Sequence, residues 1–277
     1  MLEVPGASLH YEVSGDGPVL LLIPGGPADG KAFAAVAPVL AKNYTVLTYD
    51  PRGLSRSVVD DRTRVIPVEQ QAADAARLLD AVGGGPAAVF ANSGGAVTGL
   101  ALLTADPSLV TTLVAHEPPL IGLLPDAAER NGAVQRVNQT YREQGIGPAM
   151  ALFLAFAGFP GPEAQTAPGS DQPPPSGPEP VAVPGSWEAN LELFFGQMML
   201  PITTYRPDLP ALRAVSDRIV VGGGAASVGQ TAQLTAAALA AALGTELTVF
   251  PGAHGGFSDD PDGFAHRLDQ VLTDRAG

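Results

Sequence analysis

Short apolar segments alternate with helical segments along most of this 277-residue chain. The run Val19–Ile23 is apolar at every position, and residues 44–49 and 109–115 are typical of further buried strands. Helical patterns such as residues 29–42 and 68–82 separate these strands. A strand that is apolar on both faces needs cover on both, and crossover helices supply it. The alternation therefore predicts an α/β fold with a doubly wound, mostly parallel sheet.

The alternation stops at about residue 120 and resumes at about residue 211. The segment between them, residues 120–210, is predicted to be a helical cap inserted after the sixth strand, with residues 1–119 and 211–277 as the core domain. Nine of the 27 prolines lie in residues 159–185, which are expected to form a mobile loop. Ligands of such sheets bind outside the carboxyl ends of the strands, where a cap would cover them.

Composition excludes several classes of function. The chain has 15 basic and 28 acidic residues, and its net charge of -13 repels nucleic acid and anionic lipid. It has no cysteine, and thus no disulfide, thiol nucleophile or thiolate metal site. We find neither a secretory signal at the N-terminus nor an apolar stretch near the roughly 20 residues of a membrane span. We expect a cytoplasmic protein without metal, cofactor, nucleic-acid or membrane partner; a homo-oligomer is left open.

Ser93 stands where a buried strand turns sharply into a buried helix. Ala91 and Gly95 flank it at two positions on either side, close to the pattern G-x-S-x-G of a nucleophile elbow. The turn is so tight that these flanking positions tolerate almost no side chain. Ala91 departs from the pattern, and an ordinary strand-to-helix turn is the alternative interpretation.

A serine nucleophile needs a base, and four histidines are available. His254 follows the last predicted strand in a glycine-rich loop, where a base would face Ser93. His10 in the first strand and His266 in the last helix are expected to be surface or packing residues. His116 ends a strand, but strand alternation points it away from the face of Glu117.

The loop that would usually supply the acid, residues 222–230, contains no carboxylate. Glu117 ends the strand after the elbow unit, so that its strand should neighbour that of Ser93. A glutamate there can reach the far nitrogen of an imidazole placed over Ser93. The alternative interpretation is that Glu117 caps the turn before Pro118, with Asp259 or Asp260 as the next candidates for the acid.

Backbone N–H groups are needed to hold an oxyanion. Gly94 directly follows the nucleophile and is one predicted donor. The second is Gly26, since its neighbour Pro27 has no N–H; a plain glycine turn is the alternative. Asp50 and Arg52, in the next loop, are interpreted as structural residues that hold that turn.

Five motifs occur in order: Pro-Gly-Gly-Pro from Pro24, Asp-Pro-Arg-Gly-x-Ser-Arg-Ser from Asp50, small-x-Ser-x-Gly around Ser93, His-Glu-Pro-Pro from His116, and Pro-Gly-x-His ending at His254. Together they resemble the α/β-hydrolase superfamily over nearly the whole chain. The Ser-Arg-Ser turn, the His-Glu-x-Pro strand end and the missing acid after the seventh strand are similar to the zearalenone-type lactonases. Those enzymes open a resorcylic macrolactone, and the resemblance implies Ser93 as nucleophile, Glu117 as acid and His254 as base.

The first hypothesis is therefore a metal-free serine hydrolase acting on a small-molecule ester, above all a lactone with a bulky aromatic or macrocyclic body. Large apolar residues of the cap could line its pocket or form the core of the cap; they are Phe153, Phe156, Trp187, Phe194, Phe195 and Met198. Alternatives are a carbon–carbon bond hydrolase or perhydrolase with the same triad, or a non-catalytic ligand receptor on a hydrolase fold.

Overall fold

The computed structural model describes residues 1–83, 85–159, 183 and 185–276. Ten strands occur in these residues: β1 (Leu2–Val4), β2 (Ala7–Leu9), β3 (Tyr11–Ser14), β4 (Val19–Ile23), β5 (Thr45–Tyr49), β6 (Val58–Val59), β7 (Ala87–Asn92), β8 (Val110–His116), β9 (Ile219–Gly224) and β10 (Thr248–Phe250). Eleven α-helices occur in the same residues: α1 (Ala37–Leu40), α2 (Val68–Val82), α3 (Gly94–Ala105), α4 (Ala127–Gln144), α5 (Ile146–Ala157), α6 (Trp187–Leu193), α7 (Met199–Thr203), α8 (Leu209–Ala214), α9 (Thr231–Leu243), α10 (Gly256–Asp259) and α11 (Pro261–Ala276).

Seven strands form the central sheet, in the order β10-β9-β8-β7-β4-β5-β3. All neighbouring pairs are parallel except β3 with β5. The register pairs Asn92 with His116 and His116 with Gly222, so that β7, β8 and β9 reach the same edge of the sheet. The residues that follow these strands therefore meet at that edge, as the sequence alternation predicts for a parallel sheet.

Side chains of the inner strands alternate between two apolar layers, since successive residues of a strand face opposite sides. Leu21 and Val89 pack into the layer that includes α2, α3 and α9. Leu22 and Phe90 pack into the opposite layer, against residues of α1 and α11. Cover on both faces explains why these strands are apolar at nearly every position, and the predicted doubly wound α/β fold is confirmed.

Two segments differ in detail from the sequence prediction. Residues 29–42 are not one helix but a 3-10 turn, Gly30–Phe33, followed by the short α1. The Asp29 side chain accepts the N–H of Lys31 and starts the turn, while Pro38 has no N–H with which to continue a helix from it. The strand counted sixth in the sequence is β8, because the sequence count lacks the two short strands β1 and β6.

Helices α4 to α8 lie between β8 and β9; α4 to α7 fall within residues 120–210, the segment predicted to be a cap, and α8 crosses its end. The helical pattern of residues 187–200 becomes α6, a π-helical turn Phe194–Met198, and α7. Most of the proline-rich tract, residues 159–185, lies outside the described residues, and so does the prediction made for it. Within the described part of the chain, no helix is both long and apolar enough to cross a membrane.

Candidate active site

The turn between β7 and α3 holds Ser93 in a strained backbone conformation. Its φ is 54° and its ψ is -123°, a combination that residues with a side chain rarely adopt. The N–H of Ser93 donates a 2.8 Å hydrogen bond to the carbonyl oxygen of His116, on the neighbouring strand. The Ser93 side chain makes no capping hydrogen bond to α3. The turn is thus tied to the sheet while the hydroxyl stays available at the sheet edge.

Small residues around Ser93 allow the tight turn. A Cβ on Gly95 would lie 2.5 Å from the carbonyl oxygens of Ile23 and Pro24, so that only glycine fits there. Ala91 is tolerated because the helix residue opposite it is Gly99, where an added Cβ would come within 3.2 Å of the Ala91 methyl group. The departure from the glycine pattern is therefore offset by a glycine in α3.

Glu117 directly follows β8 and also has a positive φ, of 51°. Its side chain is fully buried. Oε2 lies 2.5 Å from Nδ1 of His254, and Oε1 accepts the N–H of Gly224 at 2.8 Å. Burial on its own would raise the pKa of this carboxyl, but the hydrogen bonds from His254 and Gly224 outweigh burial and hold the pKa of Glu117 below its usual range. A carboxylate at Nδ1 keeps the proton on that nitrogen and leaves Nε2 of His254 free to accept one.

The glycine-rich end of β9 lies in residues 222–230, where an acid was expected and none occurs. Gly224 contributes a backbone N–H to Glu117 instead of an acid of its own. A Cβ on Gly224 would lie 2.7 Å from the carbonyl oxygen of Ala253 and 2.8 Å from Oγ of Ser227. The absence of a side chain thus lets β9 approach both Glu117 and the loop that carries His254. Sequence reasoning did not identify Gly224, because its contacts join three distant segments.

Ser93 and His254 line the same cavity, above the carboxyl ends of β4 and β7. The hydroxyl of Ser93 makes no hydrogen bond to the residues that the structure describes. Hydrogen bonds between a nucleophile and its base are often long before substrate binds and shorten in the complex. The arrangement places an unpaired hydroxyl and an oriented imidazole on one surface.

The Gly25–Ala28 turn determines the direction of the Gly26 amide. The N–H of Ala28 bonds to the carbonyl oxygen of Gly25 at 3.1 Å, which turns that carbonyl into the loop. The N–H of Gly26 belongs to the same trans peptide unit and therefore points the opposite way. Gly26 has a φ of 58° and Pro27 cannot adopt a positive φ, which is the pattern of a type II′ turn with its required glycine.

The Gly26 and Gly94 amides are neighbours. A Cβ built on Gly94 would lie 3.4 Å from the nitrogen of Gly26. Gly94 is the first residue of α3, where an N–H has no partner inside the helix. Neither amide donates a hydrogen bond elsewhere in the described part of the chain. The two free donors beside Ser93 form an arrangement that can hold an oxyanion.

The described residues enclose a cavity of about 220 Å³ over Ser93 and His254. Its walls are mainly apolar, and six of the apolar lining residues come from the cap segment: Phe153, Phe156, Ala157, Phe159, Phe194 and Ile202. Polar groups at its margin include Asn92, Thr203 and Thr231. Phe159 and Ile202 were not recognised in the sequence, where nothing distinguishes them from other apolar residues of the helices.

Five of the six large residues predicted to line the site fall into two groups. Phe153, Phe156 and Phe194 line the cavity, and an edge of the Phe194 ring lies 3.9 Å from the position of a Cβ on Gly26. Phe195 and Met198 are buried within the cap segment instead, and the Phe195 ring stacks on Tyr141. Trp187 is 58% exposed at the start of α6. The helical pattern alone could not separate the two groups, because the π-helical turn changes which residues share a face.

His116 is fully buried beneath the site and does not line the cavity. Its Nδ1 bonds to Oδ1 of Asn92 at 2.8 Å, and its ring contacts the edges of Phe250 and Phe264. Burial lowers the pKa of His116 to about 4, so that the ring is neutral near pH 7. Among the described residues its Nε2 has no hydrogen-bond partner.

The remaining polar candidates are held in other interactions. Asp50 is buried and accepts hydrogen bonds from the backbone of Gly30 and the side chain of Arg56, and Arg52 pairs with Asp74 at 2.6 Å. His10 contacts Glu12, and His266 contacts Gln270. Asp259 and Asp260 are exposed, and Asp260 caps the N–H of Gly263.

Known proteins are similar to this chain over its whole length. The family model described as alpha/beta hydrolase fold matches residues 18–158. Uncharacterized hydrolase YraK of Bacillus subtilis (strain 168) is 33% identical over 277 residues, which cover 98% of this chain and 94% of that protein. The zearalenone hydrolase of Bionectria ochroleuca is 31% identical over 117 residues, or 41% of this chain and 44% of that protein.

The structure also superposes on solved structures. A thermophilic esterase from Thermogutta terrifontis, with malate bound, has a TM-score of 0.70 and 18% identity, and the superposition covers 96% of this chain and 93% of that one. A likeness at this identity concerns the fold alone.

Proposed function

This chain belongs to the α/β-hydrolase family, and from that premise we propose that it cleaves a carboxylic ester through an acyl-enzyme on Ser93. The observation that carries the proposal is the buried hydrogen bond between Glu117 and His254, on the same sheet edge as the strained Ser93. A buried carboxylate is costly unless it is paired, and here its partner is an imidazole with its second nitrogen free.

The reaction proceeds in two stages. Nε2 of His254 takes the proton of Ser93, and Oγ attacks the ester carbonyl while the amides of Gly26 and Gly94 hold the oxyanion. His254 then gives that proton to the leaving alkoxide, and the acyl group remains on Ser93. Water, deprotonated by His254, attacks the acyl-enzyme, and the imidazolium returns that proton to Oγ of Ser93 as the acid leaves. Glu117 stays ionised and stabilises the imidazolium that forms in both stages.

A serine nucleophile also limits the type of bond that this site can hydrolyse. Attack of Ser93 on a carbonyl gives an ester, which water can cleave through the same oxyanion site. Attack on an epoxide carbon would give an ether on Ser93, which has no carbonyl for water to attack. The chemistry of the nucleophile therefore favours an acyl substrate.

We propose that the substrate is a lactone with a bulky aromatic or macrocyclic body. Support comes from the aromatic walls of the cavity and from the similarity to a zearalenone hydrolase over 117 residues. In a lactone the leaving alkoxide stays attached to the acyl group, so that the product is one hydroxy acid.

Labelling with a fluorophosphonate tests the proposed nucleophile, and a turnover screen tests the proposed substrate. We expect a phosphonyl adduct on Ser93 that is lost in Ser93→Ala, and faster turnover of aromatic macrolactones than of simple aryl esters. A folded protein with no adduct on Ser93 would contradict the enzymatic proposal and favour a ligand receptor. If Ser93 is labelled but only aryl esters are turned over, the esterase proposal stands and the lactone proposal is rejected.

A further inference from the structure

Asn190, in α6 of the cap segment, uses both ends of its side-chain amide on the core. Its Oδ1 accepts the N–H of Ser55 at 2.8 Å. Its Nδ2 donates to the carbonyl oxygen of Pro27 at 3.1 Å and to Oγ of Ser55 at 2.9 Å. The residue is only 2% exposed. A buried amide that bonds to three partly buried groups on two core loops is a fixed link between α6 and the core.

One of these partners, Ser55, is itself held in a strained conformation. Its φ is 48°, in the left-handed region that favours glycine. Its Oγ donates a 2.5 Å hydrogen bond to Oδ2 of Asp29, whose Oδ1 accepts the N–H of Lys31. Such strain persists only where the surrounding contacts maintain it. The contacts here come from Asn190 on one side and Asp29 on the other.

The loop of Ser55 and the segment of Pro27 and Asp29 meet beside the turn that carries the Gly26 amide. The two central residues of this turn offer no donor that could fix it, because Pro27 has no N–H and the Gly26 N–H must stay free for the substrate. It is fixed through acceptors instead: the Gly25 carbonyl by Ala28, the Pro27 carbonyl by Asn190, and the Asp29 carboxylate by Ser55. Of these three groups, Asn190 is the one that comes from the cap segment.

We propose that Asn190 is a positioning residue for the oxyanion site, through which α6 holds the Gly26 amide in line with that of Gly94. This inference rests on the proposed function, since it assigns a role to Gly26 in catalysis. It adds that docking of α6 and assembly of the oxyanion site are coupled. An oxyanion donor that is displaced by a fraction of an ångström stabilises the transition state less than the same donor in its correct position. Ground-state contacts between substrate and cavity walls change little.

Asn190→Asp tests the link with little change of shape. The variant keeps an acceptor for the Ser55 N–H but has no donor for the Pro27 carbonyl. We expect kcat for an aryl ester to fall about 10- to 100-fold, with KM within about threefold of the parent value. Affinity for an aryl boronic acid, which forms a tetrahedral adduct on the serine, should weaken by a factor similar to the loss in kcat/KM.

Asn138→Asp is the matched control. Asn138 is a buried amide of α4 whose Nδ2 bonds to the carbonyl oxygen of Phe195, within the cap segment. We expect parental kcat for this variant, even if its Tm is lower. An equal fall of kcat in both variants, or parental kcat in Asn190→Asp, would overturn the proposal.

Ser55→Gly provides a second variant in case Asn190→Asp does not fold. Glycine accepts the φ of 48° without strain, yet it removes the hydroxyl that joins Asp29 to Asn190. We expect a fall in kcat with KM little changed, and parental kcat would again overturn the proposal. Failure of the proposed function is separate, because the parent protein itself would then neither turn over esters nor bind the boronic acid.

Discussion

Glu117 combines burial, backbone strain and hydrogen bonds to two other segments of the site. It is buried, has a positive φ, and divides its two oxygens between His254 and Gly224. Strained and buried polar residues persist only where neighbouring groups maintain them, and such residues gather at functional sites. The same residue directly follows β8, one position after His116, whose carbonyl oxygen accepts the N–H of Ser93. The proposed acid and nucleophile are therefore positioned by one pair of strands.

Glu117→Gln is the variant that examines the acid with the least change in shape. A neutral amide cannot stabilise the imidazolium and allows the wrong tautomer of His254. We expect kcat to fall about 10³- to 10⁴-fold, at little cost in KM, in steady-state assays with an aryl ester. Asp259→Asn and Asp260→Asn, at exposed positions, should retain parental kcat. If either of these two loses activity while Glu117→Gln retains it, the acid lies in the loop before α11.

At the scale of elements, the site depends on the ends of β9 and of the cap helices as much as on the elbow. The end of β9 lacks side chains, and the backbone comes close enough to serve Glu117. The cap segment contributes Phe194 and Ile202, which lie beside the two proposed oxyanion donors. These elements are distant in sequence and meet only through the sheet.

Gly224→Ala should disturb the contact between β9 and Glu117. The added methyl group would lie 2.7 Å from the Ala253 carbonyl oxygen, so that the backbone has to shift and the N–H moves away from Oε1. We expect at least about a tenfold fall in kcat, since one hydrogen bond to a charged group is worth about 1.5 to 3 kcal/mol. Gly147→Ala is a suitable control, because nothing lies within 4 Å of its added Cβ. Equal kinetics in both variants would argue against a role for Gly224.

Phe194→Ala and Phe195→Ala separate cavity lining from cap packing. Both rings are buried in the same π-helical turn, but Phe194 alone of the two lines the cavity. We expect Phe194→Ala to raise KM for an aromatic lactone about tenfold, from the loss of an aromatic contact. Phe195→Ala should lower the free energy of unfolding by about 3 to 5 kcal/mol with a smaller effect on KM. Equal effects on KM would indicate that the substrate does not reach Phe194.

At the scale of the whole molecule, burial of His116 makes stability depend on pH. Its pKa of about 4 in the folded protein compares with about 6.5 for an unfolded chain. Between these values the unfolded state binds a proton that the folded state does not, and the free energy of unfolding therefore falls as the pH drops from about 6.5 to about 4. Above about 6.5 the ring is neutral in both states and contributes no pH dependence. The lowered pKa of Glu117 acts below about 4.3, outside this window.

His116→Gln should reduce this dependence. At pH 5 the protonation of His116 in the unfolded chain removes about 2 kcal/mol of stability relative to pH 7. Urea unfolding at the two pH values should show a difference smaller by about that amount in the variant. His266→Gln, at an exposed position of α11, is the control and should leave the difference unchanged. An unaltered pH dependence in His116→Gln would mean that another group controls stability in this range.

The central features of the fold could be predicted because they are local in origin. A wholly apolar strand such as β4 indicates cover on both faces, and the turn after β7 needs small residues within two positions of Ser93. The placement of Glu117 and His254 at strand ends followed from the same alternation. The broken helix at residues 29–42 was harder to predict, because its break depends on Pro38 and on the hydrogen bond of Gly30 to Asp50, from another loop.

The sequence by itself determined the α/β architecture, the sharp turn at Ser93 and the order in which the polar residues arrive at one sheet edge. Periodicity and turn chemistry act over a few residues, and a parallel sheet brings its strand ends together. Only the tertiary structure decided that Gly224 supports Glu117, that Asn190 reaches Pro27 and Ser55, and that Phe194 rather than Phe195 faces the cavity. These contacts join segments up to 163 positions apart, and which of them form depends on the distances and directions set when the layers pack.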